Sequence, residues 1–354
     1  MTLSALVAPD SFKGTFSGAE VAAAVAAGLR DAGREAEELP VADGGEGTVD
    51  VLVRALGGKL RSASVSDPLG RPIEATFALL PDGRTAAVEV AQASGLWRVA
   101  EGERDAYAAS TRGTGELIAA AAAAGAERVL VAVGGSATTD GGAGALEALD
   151  EAGVEPEIEL LCDVRTPFED AARVFGPQKG ADAATVKRLE RRLAEMAEAA
   201  PRDPRGVPMT GAAGGLSGGL WAHRGAKLVP GAARVLDTIG FDARMRTAAF
   251  VVTGEGRLDE QTLQGKIVGE VATRCRQGGV ACHAVVGRDA LDPFSERVLD
   301  LASVAEAGTP DCRARVPISP TSLPCSVCSS SLPSPVTTKA EALIRSVKAI
   351  VSST

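Results

Sequence analysis

The chain has 354 residues, a formal net charge of −9, and 45% hydrophobic but only 3% aromatic residues. That length favours two domains over one, with cores built from alanine, valine and leucine. The acidic balance argues against nucleic acid as a main partner, because phosphate backbones need a basic face, but it leaves room for small anions in a local positive pocket.

In chain order, the opening MTLSALVAPD lacks the basic region of a signal peptide. An apolar run over residues 3–8 predicts a strand. Ser17 and Glu20 have the spacing of a capping box. Val21, Val25 and Leu29 follow at helical spacing, and Gly33 stops the helix. Residues 38–42 read as a second strand. This β-α-β opening carries polar loops at the carboxyl ends of both strands, the edge where open α/β sheets bind ligands. Residues 73–80 and 85–91 flank a Pro81-Asp82-Gly83 turn, a hairpin signal that predicts a mixed sheet. Residues 116–124 predict a helix and 129–133 a buried strand. A helix over 144–152 and a strand over 158–161 follow. Residues 183–200 predict an amphipathic helix with Val186, Leu189, Leu193 and Met196 on one face. Residues 249–252 and 281–286 are further strands. Such repeated strand–loop–helix units mean α/β architecture. Between Thr309 and Thr338, six prolines and seven serines predict an unstructured stretch, with a short helix over 339–351 after it.

The alanine-rich stretch 117–126 is well short of the roughly 18 residues that span a bilayer. A cytoplasmic protein with no membrane partner is expected. A chain of this size does not need its six cysteines as a disulfide framework. His223 and His283 lack zinc-ligand spacing, and the lone Cys325-Ser-Val-Cys328 pair makes neither a zinc site nor a redox motif.

Four glycine-rich segments beside strand-like runs carry charged residues: 8–14 (APDSFKG), 42–48 (ADGGEGT), 134–144 (GGSATTDGGAG) and 253–259 (TGEGRLD). Glycine lets a backbone approach a ligand closely. Carboxylates beside glycine suit a metal ion, and lysine or arginine suits phosphate, so the four loops together suggest a site for a phosphorylated ligand with its metal. Asp10, Ser11 and Lys13 follow the first strand, and Asp43 and Glu46 follow the second. An acid pair with one lysine can hold Mg²⁺ and steady a phosphoryl group. The Gly134 loop leads into a helix N-terminus, whose amides favour anions. Residues 211–219 (GAAGGLSGG) read either as amides that wrap a ligand or as a connector. Glu255, Arg257, Asp259, Gln261 and Lys266 crowd the segment after a buried strand, which suits a site better than a solvated face. No Walker A sequence, protein-kinase signature or clean G-x-G-x-x-G is present.

Over residues 3–300 the chain resembles the bacterial class I glycerate kinase family. The resemblance rests on APDSFKG (8–14), LPVADGGEGT (39–48), DPLGRP (67–72), TRGTGEL (111–117), the Gly134 loop, FGPQKG (175–180), GAAGGLSGG (211–219) and TGEGRLDEQT (253–262). It implies ATP-dependent phosphorylation of D-glycerate with Mg²⁺, usually giving 2-phosphoglycerate. It also implies two α/β domains. One is Rossmann-like or flavodoxin-like with a parallel sheet, formed by both chain ends and expected over residues 1–66 and 246–308. The second, over 67–245, has a mixed sheet, and 309–354 form an atypical tail. On this reading Lys13 pairs with phosphate or the substrate carboxylate, Asp43 and Glu46 hold Mg²⁺, and Asp10 or Asp259 accepts the hydroxyl proton. Gly134, Gly135, Ser136, Thr138, Gly214 and Gly215 cradle phosphate, and Ser11, Glu255 and Arg257 contact substrate or phosphate. A homo-oligomer is allowed. Two features depart from the family pattern: a shorter connection over 153–161, and the Pro/Ser-rich tail. A nucleotide-dependent dehydrogenase and a non-catalytic sensor of glycerate or nucleotide are the alternative readings.

Overall fold

The first strand, β1 (Ala5–Pro9), is apolar and wholly buried, as its composition predicts. Helix α1 (Gly18–Asp31) opens with the expected capping box: Ser17 Oγ accepts from Glu20 N at 3.3 Å, and Glu20 Oε2 accepts from Ser17 N at 2.8 Å. Two helix-end donors are thereby satisfied at once. Val21, Val25 and Leu29 pack onto Val7 of the sheet. Strand β2 (Ala36–Glu38) lies earlier than the expected 38–42. The chain still runs on beside β1, with Leu39 N donating to Val7 O and Val41 N to Pro9 O. Pro40, having no N–H, interrupts the ladder. The computed structural model describes residues 4–260, 262, 266–291, 295 and 298–307. The Pro/Ser-rich stretch, the helix expected over 339–351, the Cys325–Cys328 pair and Gln261 lie outside the described residues.

The chain continues through α2 (Thr48–Leu56), β3 (Lys59–Ser66), β4 (Pro72–Leu79), β5 (Thr85–Glu89), α3 (Val90–Ser94), α4 (Arg112–Ala123), β6 (Arg128–Ala132), α5 (Ala143–Ala152) and β7 (Glu157–Cys162). Then come α6 (Ala171–Phe175), α7 (Ala183–Ala199), α8 (Leu216–Arg224), β8 (Lys227–Pro230), α9 (Gly231–Thr238), α10 (Phe241–Met245), β9 (Val251–Glu255), α11 (Ile267–Gly278), β10 (Cys282–Val286) and β11 (Ser303–Glu306). The sequence reading found the hairpin, the amphipathic α7 and most buried strands. It missed α2, β3, α3, α6, α8, β8, α9, α10, α11 and β11.

Two compact units result, one from residues up to Ala42 and from Leu236 onward, the other from Asp43–Val235. The boundaries expected at 66/67 and 245/246 therefore move. Strand β3 pairs antiparallel with β4 along its whole length, which takes it into the second unit. The first unit holds a five-stranded sheet in the order β11-β10-β9-β1-β2, every pair parallel. Renumbered within the unit, this is the flavodoxin-like order, whose switch point lies between β1 and β9. The second unit holds a six-stranded mixed sheet, β3-β4-β5-β6-β7-β8, antiparallel as far as β5 and parallel beyond it. Helices α4 and α5 of this unit approach backbone to backbone. A Cβ on Gly115 would stand 2.7 Å from the Ala145 Cα, and one on Gly144 would stand 2.7 Å from Arg112 N. Among the described residues no helix is long and apolar enough to cross a membrane.

Of the six cysteines, Cys162, Cys275 and Cys282 are described, and all three are buried free thiols. Burial pushes the Cys162 thiol up to about 12, which makes it inert near neutral pH.

His283 of β10 is buried in the first unit. Its Nδ1 meets Ser303 Oγ at 2.8 Å, its ring packs edge-on against Phe250, and Nε2 has no hydrogen-bond partner among the described residues. Burial lowers its pKa from 6.5 to about 4. The folded form thus holds the imidazole neutral over a range where the unfolded chain protonates it. Stability is fully present above the unfolded pKa and is lost as pH falls through about 6.5 toward 4, by a few kcal/mol on the order of the shift. In thermal melts at pH 7 and pH 4.5, the wild type should lose more melting temperature than His283→Gln. Equal losses would show that this histidine does not carry the acid sensitivity.

Candidate functional site

The first unit gathers its charged loops at the β1/β9 switch point. Asp10, only 6% exposed, ends β1 and donates its backbone N–H to Gly254 O at 2.8 Å, which fixes it beside the end of β9. Its Oδ1 accepts from Ser11 N at 2.6 Å. Residues 12–16 then turn tightly: Thr15 N donates to Phe12 O, Phe12 N to Phe16 O, and Gly14 takes φ +77°. The turn lifts Lys13 into solvent, where its side chain is exposed.

Gly256 lies against this turn, since a Cβ there would stand 3.5 Å from Lys13 N. Beside it, buried Glu255 accepts from Thr262 Oγ1 at 2.6 Å. Arg257 is exposed and pairs with Asp259 at 3.6 Å. Backbone bonds from Gly287 N to Glu255 O and from Arg288 N to Gly256 O hold the segment against the chain after β10. Asp10, Ser11, Lys13, Glu255 and Arg257, separated by about 240 positions in sequence, thus share one sheet edge. The exposed Lys13 and the buried Asp10 and Glu255 come from adjoining loops of this edge, a set of residue types that suits an anion and a proton transfer.

In the second unit Asp43 and Glu46 come from one turn. Asp43 is buried and accepts from Gly45 N at 3.0 Å, whereas Glu46 is exposed. Gly44 needs its φ of +94°, and a Cβ there would come 2.8 Å from Leu161 O. Gly45 lies against Gly134, and the Glu46 carboxylate fills the space a Cβ would take on Gly135. Gly135 is exposed at the end of the β6 loop, while Ser136 and Thr138 are buried and their hydroxyls meet at 2.9 Å.

Deeper in the loop, Asp140 accepts from Thr111 N and Thr111 Oγ1, both at 2.8 Å, and from Gly142 N at 3.2 Å and Gly144 N at 3.3 Å. The amides at the start of α5, expected to attract a phosphate, already face this carboxylate. The protein supplies its own anion there. Gly214 and Gly215 are buried too. A Cβ on Gly214 would overlap the Thr138 carbonyl, and one on Gly215 would stand 2.8 Å from Phe168. They serve close packing, so of the expected phosphate cradle only Gly134 and Gly135 reach the surface.

Two residues of this unit were not among the expected site residues. Lys179, 3% exposed, donates from Nζ to Thr138 O at 2.6 Å. Burial lowers its pKa to about 7, against the opposing pull of Asp140. Its only signal in sequence is a lysine enclosed by Gly176 and Gly180. Glu89 ends β5, and its carboxylate accepts from Val49 N at 2.8 Å, capping α2 where the N-cap Gly47 has no side chain. Burial raises its pKa. Among the described residues no group of three or more His, Cys, Asp or Glu side chains gathers as a ready-made metal cage.

A model of the glycerate kinase family matches residues 5–157 and 150–308. The chain is 39% identical to the glycerate kinase of Bacillus subtilis, over 86% of this chain and 91% of that protein. It is 38% identical to the glycerate 2-kinase of Escherichia coli, over 74% and 79% of the two chains. The crystal structure of a protein assigned as glycerate kinase 2 from Salmonella typhimurium superposes with a TM-score of 0.80 at 31% identity, covering 99% of this chain and 98% of that one.

Because Asp140 serves four donors, Asp140→Ala should destabilise the protein by about 3 kcal/mol or more. Asp140→Asn keeps one carbonyl acceptor and should cost less. Urea melts read both, and an unchanged midpoint for the alanine variant would show that the loop holds without this carboxylate.

Proposed function

This chain belongs to the glycerate kinase family, and from that premise we propose that it transfers the γ-phosphoryl group of ATP to D-glycerate, giving 2-phosphoglycerate. The observation that carries the reading within this chain is the placing of Asp10, Lys13, Glu255 and Arg257 at the switch point of a flavodoxin-like sheet. Ligands bind such sheets at that point.

In this reading Lys13 holds an anionic oxygen of the phosphoryl group or of the substrate carboxylate. Its exposed ammonium stands on a turn whose glycine permits close approach. Asp10 accepts the proton of the attacking hydroxyl. It is preferred over Asp259 because it stands at the switch point itself. Ser11, Glu255 and Arg257 orient the acceptor. Gly135, exposed, and Gly134, half-buried, offer backbone to phosphate. Asp43 and Glu46 are two hard oxygen donors from one turn, which suits Mg²⁺, an ion usually held by one or two carboxylates together with substrate phosphates and water. When bound, that ion would neutralise charge on the phosphates. The chain's own contribution is positioning and electrostatics, as phosphoryl transfer generally requires.

A ³¹P spectrum of the product formed from ATP, Mg²⁺ and D-glycerate tests activity and regiochemistry together. A phosphate on the secondary oxygen couples to one carbon-bound proton and gives a doublet, whereas one on the primary oxygen gives a triplet. No new phosphate ester would sink the reading, and a triplet would reassign the product. Activity should also vanish in excess EDTA. Full turnover there would remove the metal role of Asp43 and Glu46.

Lys13→Ala should lower kcat/KM by about ten- to a hundredfold, the equivalent of a charge-assisted hydrogen bond worth about 1.5–3 kcal/mol. The melting temperature should hold, because the side chain is exposed. Lys13→Arg should restore activity only in part, since guanidinium donors are fixed in a plane. Near-normal kinetics for Lys13→Ala would take this lysine out of the site.

A further inference from the structure

The second unit contains a cavity of about 300 Å³ that the residues assigned so far do not account for. Its apolar wall is made by Val49, Val53, Leu60 and Trp97, and Thr76 and Gln92 bring a hydroxyl and an amide. Glu46, Asp50 and Glu89 line the rest. Trp97 is 59% exposed, which leaves indole surface open to a ligand. It is nevertheless held in place. Its Nε1 donates to Ala91 O at 2.9 Å, and the Arg98 guanidinium stacks 4.1 Å from the ring centroid.

Charge limits what can enter. Three carboxylates line one small cavity, so a hydroxy-acid anion or a free phosphate would be repelled. A neutral, flat, partly polar group has no such barrier. It can lie against the indole and the aliphatic side chains and meet Thr76 and Gln92 at its edge, while carboxylates accept from hydroxyl groups. A volume near the lower bound of small-molecule sites, about 300 Å³, admits a nucleoside but not a triphosphate as well.

The cavity is also tied to the glycine turn. Leu96 N donates to Gly135 O at 2.8 Å, and Gly95 pairs with Ser136. Glu46 both lines the cavity and abuts Gly135. A nucleotide seated by its base would therefore hold its phosphates outside the cavity, toward Gly134 and Gly135, where Mg²⁺ held by Asp43 and Glu46 would offset the carboxylate charge. We infer that this cavity takes the nucleoside half of the phosphoryl donor, with Trp97 as its stacking platform. The inference rests on the nucleotide-dependent reading given above and adds the place where the base is bound.

Two variants test it. Trp97→Ala removes the platform at an exposed position, and Val53→Phe fills the cavity. Loss of a base–aromatic stack weakens binding by about tenfold or more. The KM for ATP should rise by that factor in both variants, while the KM for D-glycerate stays within about twofold. Calorimetric titration of Mg–ADP reads the same site without turnover, and affinity should fall in parallel. Circular dichroism confirms that each variant is folded. If the wild type turns over but both variants keep the wild-type KM for ATP and the wild-type affinity for ADP, the inference is overturned and the kinase reading stands. If the wild type binds ADP, and both variants bind it more weakly, but no phosphoryl group reaches glycerate, the kinase reading fails and the nucleoside site stands. A wild type that neither binds ADP nor uses ATP overturns both.

Discussion

The parallel pairing of β1 with β9 is the contact on which the first unit depends. It sets Leu6 beside Val251 and Pro9 beside Gly254, and Thr253 Oγ1 seals the pair by donating to Ala8 O at 2.9 Å across 245 positions of sequence. Closing so long a loop costs little more than closing one half its length, because the entropic term grows only with the logarithm of length. The intervening chain can therefore hold a complete second sheet. The pairing also creates the switch point, because β2 lies to one side of β1 and β9 to the other. Without it Asp10 and Glu255 would stand on unrelated loops.

In the second unit the glycine-rich loops divide by burial into two kinds. Gly134 and Gly135 lie nearer the surface, where their missing side chains make room for Gly45 and for the Glu46 carboxylate. Gly214 and Gly215 lie inside, where a missing side chain lets two backbones touch. Asp140 belongs with the second kind, for its carboxylate gathers the start of α4 and the start of α5 onto one atom group. Lys179 fastens the same loop from another direction through the Thr138 carbonyl. The exposed turn is thus carried on a scaffold whose polar groups are directed at one another.

Much of this was legible in sequence, and what was not has physical causes. The capping box of α1 is local, so Ser17 and Glu20 announce it unaided. The α/β class and the two kinds of sheet follow from strand-like runs and one hairpin signal. Strand β3 escaped notice because most of its residues, KLRSASVS, face solvent and leave almost no apolar alternation. The domain boundary was misplaced with it. The strand expected over 38–42 lies upstream, because Pro40 interrupts the regular ladder. In the site, the acidic and basic loops were recognisable as such. The function of Asp140 was not, because its partner Thr111 lies 29 residues away and no spacing rule connects them. Gly134 and Gly214 look alike in sequence, and only the fold shows that one is half-buried against Gly45 and the other fully buried against Thr138.

The backbone-to-backbone approach of α4 and α5 through Gly115 and Ala145 has a consequence for how this protein tolerates change. Alanine and glycine surrender almost no side-chain rotamer freedom on burial, although each still gives up its backbone freedom. An interior made of them hides less area per residue, and more of its cohesion comes from close contact between main chains. Such an interface has no slack for growth. Trimming a large side chain elsewhere leaves a void that neighbours partly fill, but a single added methyl at Gly115 must move a whole helix. The paths open to sequence drift here are accordingly one-sided, with small residues fixed by the space they decline to occupy.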